Sequence, residues 1–184
     1  MKIVFEGKTK IGKEIIIRYP RLGDHQEMQR YINELSKEKT FIRFQGEEIS
    51  LEEELKYLDG QLERIKQKTA VKLLAFLNNK IVGITEVNMK DKTEKHIGIL
   101  GISVAKDYRS EGIGRKLMEL VLKEAEENLP DLKIVILEVY STNIIARKMY
   151  EKLGFANYGA LPNGIMRNSS FEDAILMYKN VNLA

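Results

Sequence analysis

The stretch Ile97–Arg115, IGILGISVAKDYRSEGIGR, constrains this chain more than any other. Ile99, Leu100, Ile102 and Val104 suit a pleated, covered strand. Arg109-Ser110-Glu111-Gly112-Ile113-Gly114 is a polar turn broken by glycines. Ile113, Leu117, Val121 and Ala125 then recur at a spacing of four, with Leu122 and Leu129 beside them, as the inner stripe of a helix. A strand that passes through a glycine loop into a helix is suited to an anion. The first-turn N–H groups of a helix lack partners, the dipole is positive there, and glycine keeps side chains out of the way. The backbone from Ser110 to Arg115 is therefore a candidate phosphate cradle, with Arg109 and Arg115 adding charge. A tight strand-to-helix turn that binds nothing has the same local pattern.

Composition removes several alternatives. A chain of 184 residues, 43% apolar and 31% charged, is expected to form one domain over residues 1–184 with a substantial core. A net charge of +3 is too mild to argue for nucleic acid. The absence of cysteine excludes disulfides, thiolate nucleophiles and cysteine metal sites. His25 and His96 are too far apart in sequence to suggest a zinc site, so no metal is expected. Neither a signal peptide nor the ~18 apolar residues of a membrane span is evident, so the expected location is the cytoplasm, away from membranes.

Taken in order, residues 2–19 read as a β-hairpin. Its middle, Gly7 to Lys13, matches most of a phosphate-binding P-loop. Glu14 stands where a magnesium-binding Ser or Thr belongs, and a strand follows where a helix is required. Asp24 is a candidate N-cap for a helix to about Lys37, with Met28, Ile32 and Leu35 inward. A loop from Thr40 to Glu48 carries Phe41, Ile42 and Phe44. Ser50-x-x-Glu53 is a capping box, and Leu51, Leu55, Leu58, Leu62 and Ile65 follow at helical spacing. Strands over 70–76 and 81–89 are joined by Asn78-Asn79-Lys80. A helix from near Gly112 to Pro130 precedes a strand over 133–140, whose run Ile134–Leu137 reads as covered on both faces. A helix over 144–152 ends at Gly154, and strands over 155–158 and 174–179 close the chain across a loop holding Pro162, Asn163 and Gly164. The fold class is α/β with a mixed sheet.

The spacing Val104, then Arg109-x-x-Gly112-x-Gly114, resembles the coenzyme A pyrophosphate loop of the GNAT superfamily of N-acetyltransferases. Leu137-Glu138-Val139-Tyr140-Ser141-Thr142-Asn143, followed by Ala146, Tyr150 and Leu153-Gly154-Phe155, resembles the family's next motif at the expected distance. The resemblance covers the last half of the chain. It implies the GNAT fold, a mostly antiparallel sheet flanked by helices, and acetyl-CoA as co-substrate. It assigns the carrier's diphosphate to Arg109, Ser110, Glu111, Gly112, Ile113, Gly114 and Arg115, its pantetheine arm to the backbone of Ile102, Ser103 and Val104 and to Asn143, and its sulfur to Tyr150, which acts as acid. Asn143 equally reads as the cap of the helix that follows.

An amine that attacks a thioester must shed a proton, so a base is needed. Glu138 lies in an apolar strand on one face with Ile134, Ile136 and Tyr140, and partial burial would lift its pKa toward neutrality. It precedes Asn143 by five residues and Tyr150 by twelve, a spacing that resembles the ribosomal-protein alanine acetyltransferases, where such a glutamate is the base. A strand-end glutamate reaching water is the plainer reading. Glu86, His96 and an ordered water chain are rivals. By the same resemblance Phe41, Phe44 and Tyr57 line an acceptor groove, though each also reads as ordinary packing. The leading expectation is acetyl transfer to a protein N-terminus or a lysine. Small amines (polyamines, amino acids, antimicrobial amines) and a non-catalytic coenzyme A sensor are the alternatives, and a homodimer is the expected assembly.

Overall fold

The computed structural model describes residues 2–167 and 169–181. Its strands are β1 (Ile3–Lys8), β2 (Glu14–Arg18), β3 (Ala70–Leu77), β4 (Lys80–Met89), β5 (Ile97–Val104), β6 (Ile134–Tyr140), β7 (Ala156–Arg167) and β8 (Ser170–Asn180). They lie side by side in the order β1-β2-β3-β4-β5-β6-β8-β7. Four helices flank the sheet: α1 (His25–Lys37), α2 (Leu51–Lys66), α3 (Ile113–Asn128) and α4 (Ile144–Lys152). Every neighbouring pair is antiparallel except β5 and β6. That parallel pair is short. Its ladder runs from Ile97 opposite Ile134 to Ile99 opposite Ile136, and beyond it the two strands part. The sheet is therefore split in its middle, from Leu100 to Val104 on one side and from Leu137 to Tyr140 on the other.

Each face carries its own core. On one face α3 presents Ile113, Leu117, Val121 and Ala125 to Val71, Leu73, Val87 and Val135, and Tyr150 of α4 with Phe155 extends that cluster. On the other face Met28, Tyr31 and Leu35 of α1 and Leu58 of α2 cover Leu74 and Ile81. Ile32 packs half-buried against this core, as expected, and Tyr31 joins it from the same helix; Tyr31 is 2% exposed and its hydroxyl meets Ser103 Oγ at 2.9 Å. The Ser50 capping box forms, with Glu53 N–H donating to Ser50 Oγ at 3.2 Å and Ser50 N–H donating to Glu53 Oε2 at 2.8 Å. Asp24 occupies the N-cap position of α1 but its side chain accepts nothing from that helix; its carboxylate is paired with Arg18 at 2.7 Å and accepts the Arg21 N–H at 2.8 Å. Asn78 and Asn79 take positive φ of 50° and 63°, as a two-residue hairpin turn demands.

The closing hairpin is longer than its sequence suggests. The segment expected as a loop around Pro162, Asn163 and Gly164 is strand, carried in β7 as an irregularity between Leu161 and Ile165. Asn163, at φ 55°, donates its N–H to Asp173 Oδ1 at 2.9 Å, which stitches that bulge to β8. The face of β6 expected to be covered is only half-covered: Ile134 and Ile136 are half-buried and Glu138 is exposed. Among the described residues no helix is long and apolar enough to cross a membrane.

Candidate active site

The split in the sheet leaves backbone groups without ladder partners. Ala105 N–H donates to Val82 O, and antiparallel alternation then turns the N–H and C=O groups of Val104, Ile102 and Leu100 toward the open edge of β5. A linear ligand carrying amides can add to that edge as a strand would. Directly above it, the chain turns through Ser110 at φ 67° and Gly112 at φ 88° into α3. No side chain caps α3, and no acidic residue lies in its first turn. Its leading N–H groups thus point outward with a partial positive charge.

Basic side chains gather on both sides of this turn. A cavity of about 170 Å³ is lined in part by Lys8, Lys10, Gly112, Arg115 and Lys116. A second, of about 310 Å³, is lined by Arg115, Ile145, Lys148, Met149, Lys152 and Leu153. The N-terminal hairpin explains the first. Its tip, the P-loop look-alike, joins two strands, and Lys10 N–H donates to Glu111 O at 3.0 Å. Lys13 pairs with Glu111 at 2.6 Å and stands 5.0 Å from the centre of the Tyr108 ring. Glu111 is buried, and its other oxygen, Oε2, has no partner among the described residues. A carboxylate inside an anion cradle would repel the anion, and Lys13 neutralises it. Lys10 and Lys13 escaped the sequence reading because nothing local ties residue 13 to residue 111.

Arg109 does not point freely into the cradle. Its guanidinium donates to Val104 O at 3.0 Å and pairs with Glu38 at the end of α1, so it buttresses the turn. Arg115 is exposed and pairs with Glu119 at 2.8 Å. Asn143 caps α4 through its Oδ1, which accepts from Ala146 N–H at 3.3 Å; its amide NH₂ remains to donate elsewhere.

Tyr150 is 7% exposed, its ring 6.0 Å from that of Phe155. Among the described residues its hydroxyl has no hydrogen-bond partner, and burial alone pushes its pKa up to about 12. It is therefore a phenol that stays protonated at neutral pH. On the opposite face Glu138 stands exposed, two residues past the last β5–β6 rung. Tyr140, beside it on that face, donates to Ile42 O at 2.8 Å and stacks edge-on against Phe41 at 5.5 Å. The structure so brings Phe41 to the face that holds Glu138, while Phe44 has no ring partner there.

The rivals of Glu138 separate clearly. His96 precedes β5 at its closed end, where its carbonyl accepts from Lys133 and Ile134; at ~3.3 Å per residue it lies about 20 Å along the strand from Ile102. Glu86, on β4, is held by Lys72 Nζ at 2.5 Å and by the Tyr57 hydroxyl at 2.9 Å, both on Oε2. Burial raises the Glu86 pKa, but Lys72 and Tyr57 outweigh it and hold the carboxyl below its usual range. Lys72 is buried, and its pKa still rises, because Glu86 and Tyr57 overcome the desolvation. Glu86 is thus a weak proton acceptor.

Residues 28–155 match the acetyltransferase (GNAT) family. The [ribosomal protein bS18]-alanine N-acetyltransferase of Escherichia coli K12 is 32% identical over 140 residues, 76% of this chain and 77% of that one. An acetyltransferase of the GNAT family from Streptococcus pneumoniae superposes with a TM-score of 0.84 at 30% identity, covering 92% of this chain and 100% of that one. A Salmonella typhimurium protein solved with its cofactor acetyl-CoA superposes with a TM-score of 0.80 at 14% identity, covering 92% of this chain and 95% of that one, which is a likeness of fold.

Proposed function

The chain belongs to the acetyltransferase (GNAT) family and is an N-acetyltransferase, and from that premise we propose that it transfers acetyl directly from acetyl-CoA to a primary amine, a protein N-terminus or a lysine first among the candidates. The observation that carries this reading is the conjunction of an uncapped α3 terminus with the edge of β5 that β6 leaves open beyond Ile99; the buried Tyr150 phenol of α4 is read as part of the same site. The residues present fit the carrier. The N–H groups from Gly112 to Arg115 hold its diphosphate, Lys10, Arg115 and Lys148 balance its charge, and the Ile102 and Val104 backbone aligns its arm. Bound there, acetyl-CoA supplies an activated acyl group on sulfur.

On the other face Glu138 accepts the proton that the incoming ammonium must shed. Its exposure in the free protein is relieved when the two substrates fill the opening and dry it. Tyr150 gives its hydroxyl proton to the departing sulfur and regains one from the new amide nitrogen. A chain without cysteine agrees with direct transfer. The protein acceptor is favoured by the Escherichia coli relative, which acts on a ribosomal-protein alanine. A panel of alanine-led peptides, lysine peptides, free amino acids and polyamines, read by thiol release, tests this. Peptides turned over at least tenfold faster than small amines is the expected result; fastest turnover of a free amino acid or polyamine would overturn the acceptor assignment.

A further inference from the structure

Glu86 is a charged group on the Glu138 face that the mechanism leaves unused; Arg167, over the Phe41 and Tyr140 rings, is another but is paired with Glu172 at 2.6 Å. It sits opposite Gly101 on β5, where an added Cβ would lie 3.7 Å from its Cγ and 3.8 Å from its Oε1. Gly101 is two residues past the last rung with β6, and so is Glu138 on the other side. The two carboxylates therefore stand on opposite lips of the same opening, on the face covered by α1 and α2. Gly101 has no side chain to come between Glu86 and that opening.

The two differ in how they are held. Glu86 Oε2 is fixed by Lys72, its cross-strand neighbour on β3, and by Tyr57, whose ring centre lies 4.9 Å from Lys72 Nζ. Glu86 Oε1 has no partner among the described residues, and its side chain is 24% exposed. A lysine with 3% of its side chain exposed is expensive to desolvate, and it directs its charge to this carboxylate and to the Tyr57 hydroxyl, to which it donates at 2.9 Å. Glu54 is buried nearby with its pKa raised by burial against the pull of Lys72, and Arg64 adds positive charge from α2. A carboxylate kept ionised, immobile and half-satisfied recognises a cation without taking its proton.

We propose that Glu86 is the acceptor-anchoring residue: its Oε1 binds the incoming amine as an ammonium ion at the opening beside Gly101, with Lys72 as its positioning residue, while Glu138 removes the proton. This rests on the transfer reading above and narrows it to acceptors that arrive charged, an N-terminal α-ammonium or a lysine ε-ammonium.

The test compares Glu86→Gln, Glu86→Asp and Glu138→Gln with the parent, using an alanine-led tripeptide amide as the cationic acceptor and hydroxylamine, neutral at neutral pH, as the uncharged one. Calorimetry of acetyl-CoA and of the tripeptide with coenzyme A present accompanies the kinetics. For Glu86→Gln the tripeptide KM and Kd rise by about tenfold to a hundredfold, the loss of one charge-assisted hydrogen bond. Acetyl-CoA affinity, hydroxylamine KM and the pH profile stay with the parent, and Glu86→Asp recovers part of the loss. Glu138→Gln lowers kcat instead and removes the acid limb of its profile. Should Glu86→Gln be poorly folded by circular dichroism, Lys72→Met/Glu86→Gln removes both buried charges and gives the same KM defect. A Glu86→Gln enzyme with parental tripeptide KM, or with reduced kcat and a lost acid limb, overturns the proposal and leaves the transfer reading intact. A parent that takes up no acetyl-CoA overturns both.

Discussion

The two sides of the split sheet are built in opposite ways. On the α3 side the site is made of backbone: the free edge of β5, the positive-φ turn at Ser110 and Gly112, and the uncapped first turn of α3. On the α1–α2 side it is made of side chains from separate elements: Tyr57 from α2, Lys72 from β3, Glu86 from β4 and Glu138 from β6. A backbone site needs only the right conformation, which glycines at fixed offsets supply, so it tolerates change in the surrounding side chains. A side-chain site can be retuned one residue at a time. On the reading proposed above, the first side holds the carrier and the second side receives the acceptor.

Breaking the backbone side gives the largest effect. Gly112→Val forces a branched residue to φ 88° and meets the Lys10 side chain, whose Cγ already lies 3.0 Å from the place of the new Cβ. Acetyl-CoA affinity by calorimetry falls by about a hundredfold. Next comes the phenol between the two sides. Tyr150→Phe lowers kcat by at least about tenfold while acetyl-CoA affinity holds. Because burial raises this pKa to about 12, and the acid form is the active one, the parent loses no kcat to its ionisation until pH climbs toward that value. The pH profile of kcat checks this directly.

Smaller changes sharpen the contrast. Lys13→Met leaves the buried Glu111 carboxylate uncompensated beside the anion cradle, and acetyl-CoA affinity drops by about threefold to tenfold. Lys13→Met/Glu111→Gln restores it, since the repelling charge goes with its partner; a double variant as weak as the single one would contradict the neutralising role. The smallest effect is purely structural. Ser50→Ala removes the exposed cap of α2, costs about 1 kcal/mol in denaturant unfolding and leaves KM and kcat alone.

The same contrast explains what could be read from residues alone. The strand–turn–helix unit of the α3 side is legible because its parts are contiguous: they run from Ile97 through Asn128 with glycines at the offsets the turn needs. The P-loop look-alike was dismissed by its own neighbours, and residues 9–12 do turn between two strands. The α1–α2 side is not legible, because no local pattern reveals that Lys72, Glu86 and Gly101 stand in register across three strands or that Lys72 is buried there. Glu138 is singled out by its offset from Tyr150, yet its exposure depends on where β5 and β6 part, which the alternation of apolar residues does not encode. The extra strand length around Pro162 was missed for a different reason: turn-forming residues also build bulges, and Asp173 across the hairpin decides between them.

The central claim is that the opening between β5 and β6, topped by the α3 terminus, seats the acyl carrier. A crystal structure with coenzyme A measures it most directly. The account predicts the diphosphate against the N–H groups of Gly112 to Arg115 and the sulfur within hydrogen-bonding reach of the Tyr150 hydroxyl. A diphosphate resting anywhere else, or a sulfur on the far side of β6 from Tyr150, would contradict it.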